Sequence, residues 1–378
     1  MKNPFAFGSI VENEQFCNRV EENKELKQDI LNNQNVLIYA PRRFGKTSLV
    51  LKSLKELKEN NKDFKFIYLD LMTILDKKEF INQYFNAIAK SLETTFDKTI
   101  ETIKSFLKLK PIIKASISDT GNLVFSLDFS KNESDNILDD ILNMPSKYAE
   151  KYKVCIVFDE FQEIENIVNL ENKLRSIIQT HTNISYVFLG SKKSIINAIF
   201  SDNKRPFYNS VKHLTLHPID KDNWIECITN SFKNTNKIIT NEIINQILNI
   251  TKGFPYYTQK ICYEIWQLTD KEVDENIFNL AIDKVLTQEK EYFIALWDNL
   301  TLNQKKALKV ILITNGENIY GDDRAIEIIK PSSLQTSIKN LIQKDILDKK
   351  ERYYFQDPVF EYWLKKTYQI LIKTIKFI

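Results

Sequence analysis

Glycine, arginine, cysteine and histidine are all scarce in this chain of 378 residues. It has seven glycines, four cysteines and three histidines, and only seven of its 53 basic residues are arginines. The cysteines are never spaced as pairs, which argues against a zinc site. We therefore expect all four to be reduced core residues, namely Cys17, Cys155, Cys227 and Cys262. The histidines lack ligand spacing, and we assign them no role.

Long apolar runs are missing as well. No segment approaches the roughly 18 apolar residues that a membrane span needs, and the N-terminus lacks the apolar stretch of a signal peptide. We therefore expect a cytoplasmic protein without membrane contact. Hydrophobic residues make up 43% of the chain and charged residues 27%, which excludes global disorder. The formal net charge of +3 is too balanced for a surface that binds nucleic acid as a whole, so any basic patch must be local.

Over roughly the first 217 residues, β-rich apolar runs alternate with helical periodicity. This alternation predicts an α/β fold, with a parallel sheet covered by helices. The predicted strands have continuous apolar cores, as in strands buried on both faces, and span residues 35–39, 64–71, 153–158, 184–189 and 212–216. The predicted helices span residues 20–31, 46–58, 78–93 and 170–180. Between residues 109 and 129 the period changes to about two, which predicts an inserted β-hairpin that extends the sheet or docks a partner.

The remainder of the chain is mainly helical. Residues 220–298 predict a small helical lid, in which Gly253 and Pro255 end one helix and start the next. The last 80 residues predict three helices and two short strands, the order of a winged helix-turn-helix. We therefore predict three domains: an α/β domain over 1–218, the lid over 219–297, and the winged helix with a helical tail over 298–378.

A loop with phosphate-binding character follows the first predicted strand and leads into a helix. Its spacing and its strand-loop-helix context match the phosphate loop of nucleotide-binding proteins, in which backbone N–H groups and a helix N-terminus surround a triphosphate. We predict that Lys46 lies by the β and γ phosphates and that Thr47 is a Mg²⁺ ligand. Ala40 replaces the first glycine, which an alanine tolerates if its φ stays negative. The predicted nucleotide-binding residues are Ala40, Pro41, Arg42, Arg43, Phe44, Gly45, Lys46, Thr47 and Ser48.

An acidic pair, Asp159 and Glu160, ends the predicted strand at 153–158. Ligands of parallel sheets bind at the carboxyl ends of the strands, so both side chains are predicted to lie beside the loop. We predict that Asp159 holds the Mg²⁺ ion and that Glu160 orients or deprotonates the attacking water. A solvated loop pair is the alternative. Catalytic roles in ATP hydrolysis thus fall on Glu160, Asp159 and Lys46.

Two further polar residues have two interpretations each. Ser191 follows the strand at 184–189 and either touches the γ-phosphate or the attacking water, or forms a simple strand-end turn. Arg205 is a candidate for a finger that reaches a neighbouring subunit, although a structural or solvated arginine is the favoured interpretation.

These motifs resemble one family over almost the whole chain: the mainly archaeal prokaryotic ATPases of the signal-transducing (STAND) branch of the AAA+ class. The resemblance rests on Asn-Pro-Phe at 3–5, Pro-Arg-Arg-Phe-Gly-Lys-Thr-Ser at 41–48, Phe-Asp-Glu-Phe-Gln at 158–162, Gly-Phe-Pro-Tyr-Tyr at 253–257 and Phe-Gln-Asp-Pro-Val-Phe at 355–360. The resemblance implies a lid in which a Gly-x-Pro turn responds to the nucleotide state. In other AAA+ proteins an arginine, the second sensor, has this role. Pro255 would then start a helix whose N-terminus faces the nucleotide.

The sequence leaves three functions open. The first is a slow, Mg²⁺-dependent ATPase that acts as a molecular switch and moves the winged helix. The second is a DNA-binding regulator in which ATP is mainly structural, and the third is a scaffold with an inert site. A DNA role would use polar residues of the third helix of the winged helix and of the wing, namely Gln335, Thr336, Lys339, Asn340, Gln343, Lys344, Lys349, Lys350 and Arg352. A protein effector or a second copy of the chain is an equally open partner.

Overall fold

Five parallel strands form one sheet, as predicted. The computed structural model describes residues 2–10, 16–92, 111–119, 121–191 and 193–375. The strands up to residue 215 are β1 (Val36–Tyr39), β2 (Phe64–Asp70), β3 (Ile112–Ile117), β4 (Leu123–Asp128), β5 (Lys153–Asp159), β6 (Ile184–Gly190) and β7 (Lys212–Thr215). The sheet has the order β2-β5-β6-β1-β7, so that β5 and β6, whose residues are almost all buried, lie inside it. This order brings the carboxyl ends of β1, β5 and β6 together at one edge.

The chain divides into two compact units. The sheet unit comprises Arg19–Arg42 and Lys46–Leu216. The helical unit comprises Met1–Asn18, Arg43–Gly45 and His217–Ile378. Three residues of the predicted phosphate loop are therefore grouped with the helical unit, and the rest of that loop with the sheet unit.

The helices of the sheet unit cover its sheet. They are α1 (Val20–Leu31), α2 (Lys46–Asn60), α3 (Lys77–Ser91), α4 (Ser134–Tyr148), α5 (Leu170–Ile178) and α6 (Lys193–Ser201). α4 is not among the helices predicted from the sequence, although Ile137, Leu138, Ile141 and Leu142 recur at helical spacing and are buried. The capping box of Ser130 and Glu133 just before α4 was a further unused signal.

The predicted hairpin is present, but it does not extend the five-stranded sheet. β3 and β4 pair only with each other and form a separate antiparallel sheet. The side chains of Asn82 and Asn86 on α3 accept hydrogen bonds from the backbone N–H groups of Leu127 and Phe125, at 2.7 and 3.0 Å. β4 is thereby fixed to a helix, and the expected option of sheet extension is wrong because these backbone groups are already paired.

The helical unit starts with four helices, α7 (Lys221–Lys233), α8 (Asn241–Thr251), α9 (Pro255–Leu268) and α10 (Glu275–Asp298). The turn between α8 and α9 requires glycine. Gly253 has a φ of +72°, and a Cβ atom at this position would lie 2.8 Å from the carbonyl oxygen of Ile219. Its own carbonyl accepts a hydrogen bond from the indole of Trp224 at 3.2 Å. Pro255 occupies the first turn of α9, where its missing N–H costs nothing.

The C-terminal part contains α11 (Leu302–Thr314), α12 (Asp323–Ile328), α13 (Pro331–Gln343), β8 (Leu347–Lys349), β9 (Tyr353–Phe355) and α14 (Pro358–Ile375). β8 and β9 form an antiparallel pair, so both short strands predicted near residue 350 are present. The predicted tail extends to residue 378, and its last three residues lie outside the described part of the chain.

One expectation about the cysteines is wrong. Cys17 and Cys227 form a disulfide whose Cα atoms are 5.9 Å apart, whereas Cys155 and Cys262 are free and buried. The bond joins the N-terminal segment to α7 across a sequence separation of 210 residues. Sequence spacing could not reveal it, because only folding of the helical unit brings these two residues together.

Candidate functional site

The predicted phosphate loop runs from the end of β1 to the start of α2. Ala40 is buried and is absent from the residues with positive φ, so the condition under which alanine can replace glycine is met. Arg43 and Gly45 have φ values of 64° and 85°, and the second of these needs a glycine. The chain then enters α2 at Lys46, which directs the first N–H groups of that helix toward the loop.

Lys46 is buried, with 6% of its surface exposed. Its Nζ atom donates hydrogen bonds to the carbonyl oxygens of Ala40 and Pro41, at 2.7 and 3.2 Å. Burial lowers the pKa of Lys46 to about 8, while the negative charges of Glu160 and Asp159 oppose that shift. The Lys46 ammonium therefore has few water contacts, and its two carbonyl partners can be exchanged for the oxygens of an anionic ligand.

Asp159 and Thr47 are brought together although 112 residues separate them. The Thr47 hydroxyl donates to Asp159 Oδ2 at 2.8 Å, and the Tyr68 hydroxyl donates to the same oxygen at 2.5 Å. Asp159 Oδ1 accepts from the Glu160 N–H at 2.8 Å. A hydroxyl beside a carboxylate is a set of hard oxygen donors of the kind that Mg²⁺ prefers, so these residues fit that ion.

Tyr68 was missed by the sequence analysis. It lies on β2, the neighbour of β5, in a register that pairs Asp70 with Asp159. Tyr68 and Asp70 are two positions apart and share one face of the sheet. Burial raises the pKa of Tyr68 far above its usual range, and the Asp159 carboxylate raises it further. The Tyr68 hydroxyl therefore stays protonated and acts as a hydrogen-bond donor to Asp159.

Glu160 lies just past β5 with a φ of 49°, in the left-handed region. Its Oε2 atom accepts a hydrogen bond from the Ser191 hydroxyl at 2.8 Å and a second from Gln162 Nε2. Ser191 is buried at the end of β6, as the strand-end prediction placed it. The structure therefore brings Ser191 to Glu160, and the sequence analysis had not predicted that contact.

Within the helical unit, Arg43 and Phe44 contact helices α9 and α10. Arg43 forms an ion pair with Glu289 at 3.1 Å, and its guanidinium lies 4.4 Å from the ring centroid of Tyr256. The Phe44 ring packs edge-on against Phe254, with centroids 4.9 Å apart. Burial favours the neutral form of Glu289, but hydrogen bonds and charge from Lys260 and from Arg43 outweigh it, and the pKa of Glu289 is lowered. Two residues of the phosphate loop are thus held beside the turn that contains Pro255.

Of the other predicted residues, Arg42 lies close enough to Lys46 for its positive charge to add to the burial that lowers the Lys46 pKa. Arg42 and Ser48 belong to the sheet unit, the first exposed and the second buried. Arg205 pairs with Glu165 at 2.9 Å and with Glu171 at 2.5 Å, which gives it a structural role in the sheet unit. In the described part of the chain, no helix has the length and apolar character needed to cross a membrane.

Comparison with known proteins identifies relatives of this arrangement. A family of ATPase domains described as predominantly from Archaea matches residues 16–261. The ATP-binding protein MJ0147 of Methanocaldococcus jannaschii is 28% identical over 302 residues, which are 74% of this chain and 76% of that protein.

Two solved structures resemble the fold. The Walker-type ATPase PABY2304 of Pyrococcus abyssi superimposes with a TM-score of 0.67 at 17% identity, over 96% of this chain and 99% of that chain. The ORC1 protein of Aeropyrum pernix, solved in complex with DNA, gives a TM-score of 0.50 at 12% identity, over 94% of both chains. At these identities the likeness concerns the fold alone.

Proposed function

The chain belongs to the family of ATPase domains found predominantly in Archaea, and we propose that it is an ATP-hydrolysing molecular switch of the STAND type. In this proposal, the nucleotide state repositions a C-terminal winged-helix domain. The observation that supports hydrolysis best is the cluster of Lys46, Thr47, Asp159 and Glu160 at the carboxyl ends of two strands.

ATP binds through its phosphates. The backbone N–H groups of residues 42–48 surround the β and γ phosphates, and the Lys46 ammonium exchanges its carbonyl partners for phosphate oxygens. Thr47 and Asp159 hold Mg²⁺, which when bound neutralises part of the phosphate charge. Tyr68 keeps Asp159 oriented through its hydrogen bond.

Hydrolysis requires a base for the attacking water. In our proposal Glu160 accepts a proton from that water while the water oxygen bonds to the γ-phosphorus. The bond between this phosphorus and the bridging oxygen breaks, and ADP leaves with the electron pair. The proton then passes to the released phosphate. In this proposal Ser191, which donates to Glu160, also contacts the γ-phosphate.

Steady-state ATPase assays on four proteins test this proposal. We expect turnover by the wild type and by the control Glu59→Gln, which changes an exposed carboxylate at the end of α2. We expect no turnover by Lys46→Ala or by Glu160→Gln, because the first loses phosphate binding and the second loses the base. Equal phosphate release from all four proteins would show that the site is inert.

The switch is proposed from contacts inside the helical unit. Phe44 packs on Phe254, and three residues later the Tyr257 hydroxyl donates to the Asp357 carboxylate at 2.6 Å. Asp357 in turn accepts the first N–H groups of α14, from Val359 and Phe360, both at 2.9 Å. Binding of ATP fixes the loop that carries Phe44, and the effect reaches α14 through α9. The driven partner in this proposal is a protein effector, DNA or a second copy of the chain.

DNA binding remains the second candidate, because α13 and the hairpin β8–β9 expose Lys339, Lys344, Lys349 and Lys350. The ORC1 structure with DNA shows that a protein of similar fold binds DNA. We expect the affinity for duplex DNA to fall as the salt concentration rises. In Lys339→Ala plus Lys344→Ala, we expect the number of ions released on binding to be lower by about two. The double variant Lys271→Ala plus Lys290→Ala makes the same charge change elsewhere in the helical unit. A negligible salt dependence, or equal losses in both variants, would exclude this candidate.

A further inference from the structure

Gln162 connects the ends of two neighbouring strands. It follows β5 in a short 3-10 helix, Phe161–Asn166, and only 2% of its surface is exposed. Its Nε2 atom donates to Glu160 Oε2, and its Oε1 atom accepts from the backbone N–H of Ser191 at 3.4 Å. One buried amide therefore contacts both the proposed base and the residue that follows β6.

These two partners permit only one orientation of the amide. The Ser191 N–H is solely a donor and the Glu160 carboxylate is solely an acceptor. A flipped amide would place oxygen against oxygen at Glu160 and leave two donors facing each other at Ser191. The Gln162 amide is thus fixed by its surroundings, and it fixes Glu160 in turn.

The two donors on Glu160 act on the same oxygen. Ser191 Oγ and Gln162 Nε2 both donate to Oε2, and within the described residues no hydrogen bond joins Oε1 to the protein. Oε1 therefore remains available to accept a proton from water.

The surroundings of Gln162 are rigid. Phe161 is fully buried, with ring centroids 4.6 Å from Phe188 and 5.4 Å from Phe207. On the other side, a Cβ atom at Gly190 would lie 3.2 Å from Gln162 Oε1 and would collide with Ile196. The last residue of β6 thus leaves room for the amide.

We propose that Gln162 is a positioning residue for ATP hydrolysis, which acts through Glu160 by holding its carboxylate with one oxygen directed to water. This inference rests on the proposed role of Glu160 as the base.

The variants Gln162→Met and Gln162→Glu test the inference. Methionine keeps the length and removes all three hydrogen bonds of the amide, the third being one from Nε2 to Glu163 Oε1 at 3.4 Å, whereas glutamate adds a like charge beside Glu160. For both we expect unchanged ATP affinity and a kcat lower by up to about a hundredfold. The control is Gln179→Met, an exposed residue at the end of α5, which should match the wild type in rate and in ATP affinity.

The double variant Gln162→Met plus Glu160→Gln separates positioning from a merely structural effect. Because Glu160→Gln alone already abolishes turnover, the readout for the double variant is binding: we expect it to bind Mg-ATP as tightly as Glu160→Gln alone, whereas a disrupted site would bind it more weakly. If Glu160→Gln is inactive while both Gln162 variants keep the wild-type rate, the positioning role is wrong and the proposed function stands. If Glu160→Gln hydrolyses ATP at the wild-type rate, the proposed base is wrong and the inference with it.

Discussion

The residue with the most unusual chemistry is Lys46, whose ammonium is buried and has a pKa of about 8. Phosphate oxygens favour the charged form, so ATP binding raises this pKa. Above pH 8 the free protein loses the proton that the complex keeps, and affinity must therefore fall as pH rises. Between pH 7.5 and pH 9 we expect the Kd for Mg-ATP to increase by about tenfold, measured by calorimetry.

The control for this prediction is Lys46→Arg. An arginine stays charged throughout this range, so the variant should bind with little dependence on pH, whatever its affinity. A flat wild-type profile up to pH 9 would contradict the account of Lys46.

Among the site residues, the sequence predicted those that belong to local motifs. Lys46 and Thr47 were predictable because their spacing from the loop is fixed by the backbone, and Asp159 because it ends an apolar strand. Tyr68 was not predictable, since an aromatic residue in an apolar run usually indicates core. The link between Gln162 and Ser191 depends on strands that are neighbours in space but 29 residues apart along the chain.

Among the elements, the turn between α8 and α9 gives a direct stability prediction. Gly253 and Gly8 both lie in the helical unit with positive φ, but only at Gly253 does an added Cβ meet a backbone oxygen. Gly8→Ala should therefore lower the free energy of unfolding by about 1 kcal/mol, because alanine is strained at this φ. Gly253→Ala should lower it clearly more, because the backbone must also shift to make room for the Cβ atom. Melting temperatures of the two variants measure the difference, and equal values would contradict the packing of this turn.

The contact between Tyr257 and Asp357 predicts how ATP binding affects α14. We expect ATP to change hydrogen exchange of the α14 amides in the wild type, and Tyr257→Phe to abolish that change with ATP affinity preserved. Tyr263→Phe, a substitution in the same helix, removes a hydroxyl that does not contact Asp357 and should behave as the wild type. A wild-type response in Tyr257→Phe would show that this contact does not carry the signal.

Helices and strands were predictable where their apolar residues followed a single helical or strand period. The five parallel strands and the helices at Val20–Leu31 and Leu302–Thr314 agree with the sequence pattern, because the period of their apolar residues is a local property of the chain. The last of these strands, Lys212–Thr215, is mostly exposed, which its sequence pattern did not predict. The hairpin was predicted, but its pairing was not: the two asparagines of α3 that bind β4 are distant in sequence and read as ordinary surface residues.

For the whole molecule, the disulfide between Cys17 and Cys227 closes a loop of 210 residues. Closing so long a loop restricts the unfolded chain and stabilises the fold by up to about 5 kcal/mol. Alkylation of the denatured, unreduced protein should label two cysteines, Cys155 and Cys262, and reduction should lower the melting temperature. Labelling of all four without reductant would contradict the bond.

The central claim for the molecule is that this chain binds ATP at the loop and hydrolyses it with Glu160. Its most direct test is the identity of the nucleotide that stays on the protein after incubation with Mg-ATP and rapid gel filtration. The account predicts ADP on the wild type, ATP on Glu160→Gln and no nucleotide on Lys46→Ala. ADP on Glu160→Gln in the same amount as on the wild type would contradict it.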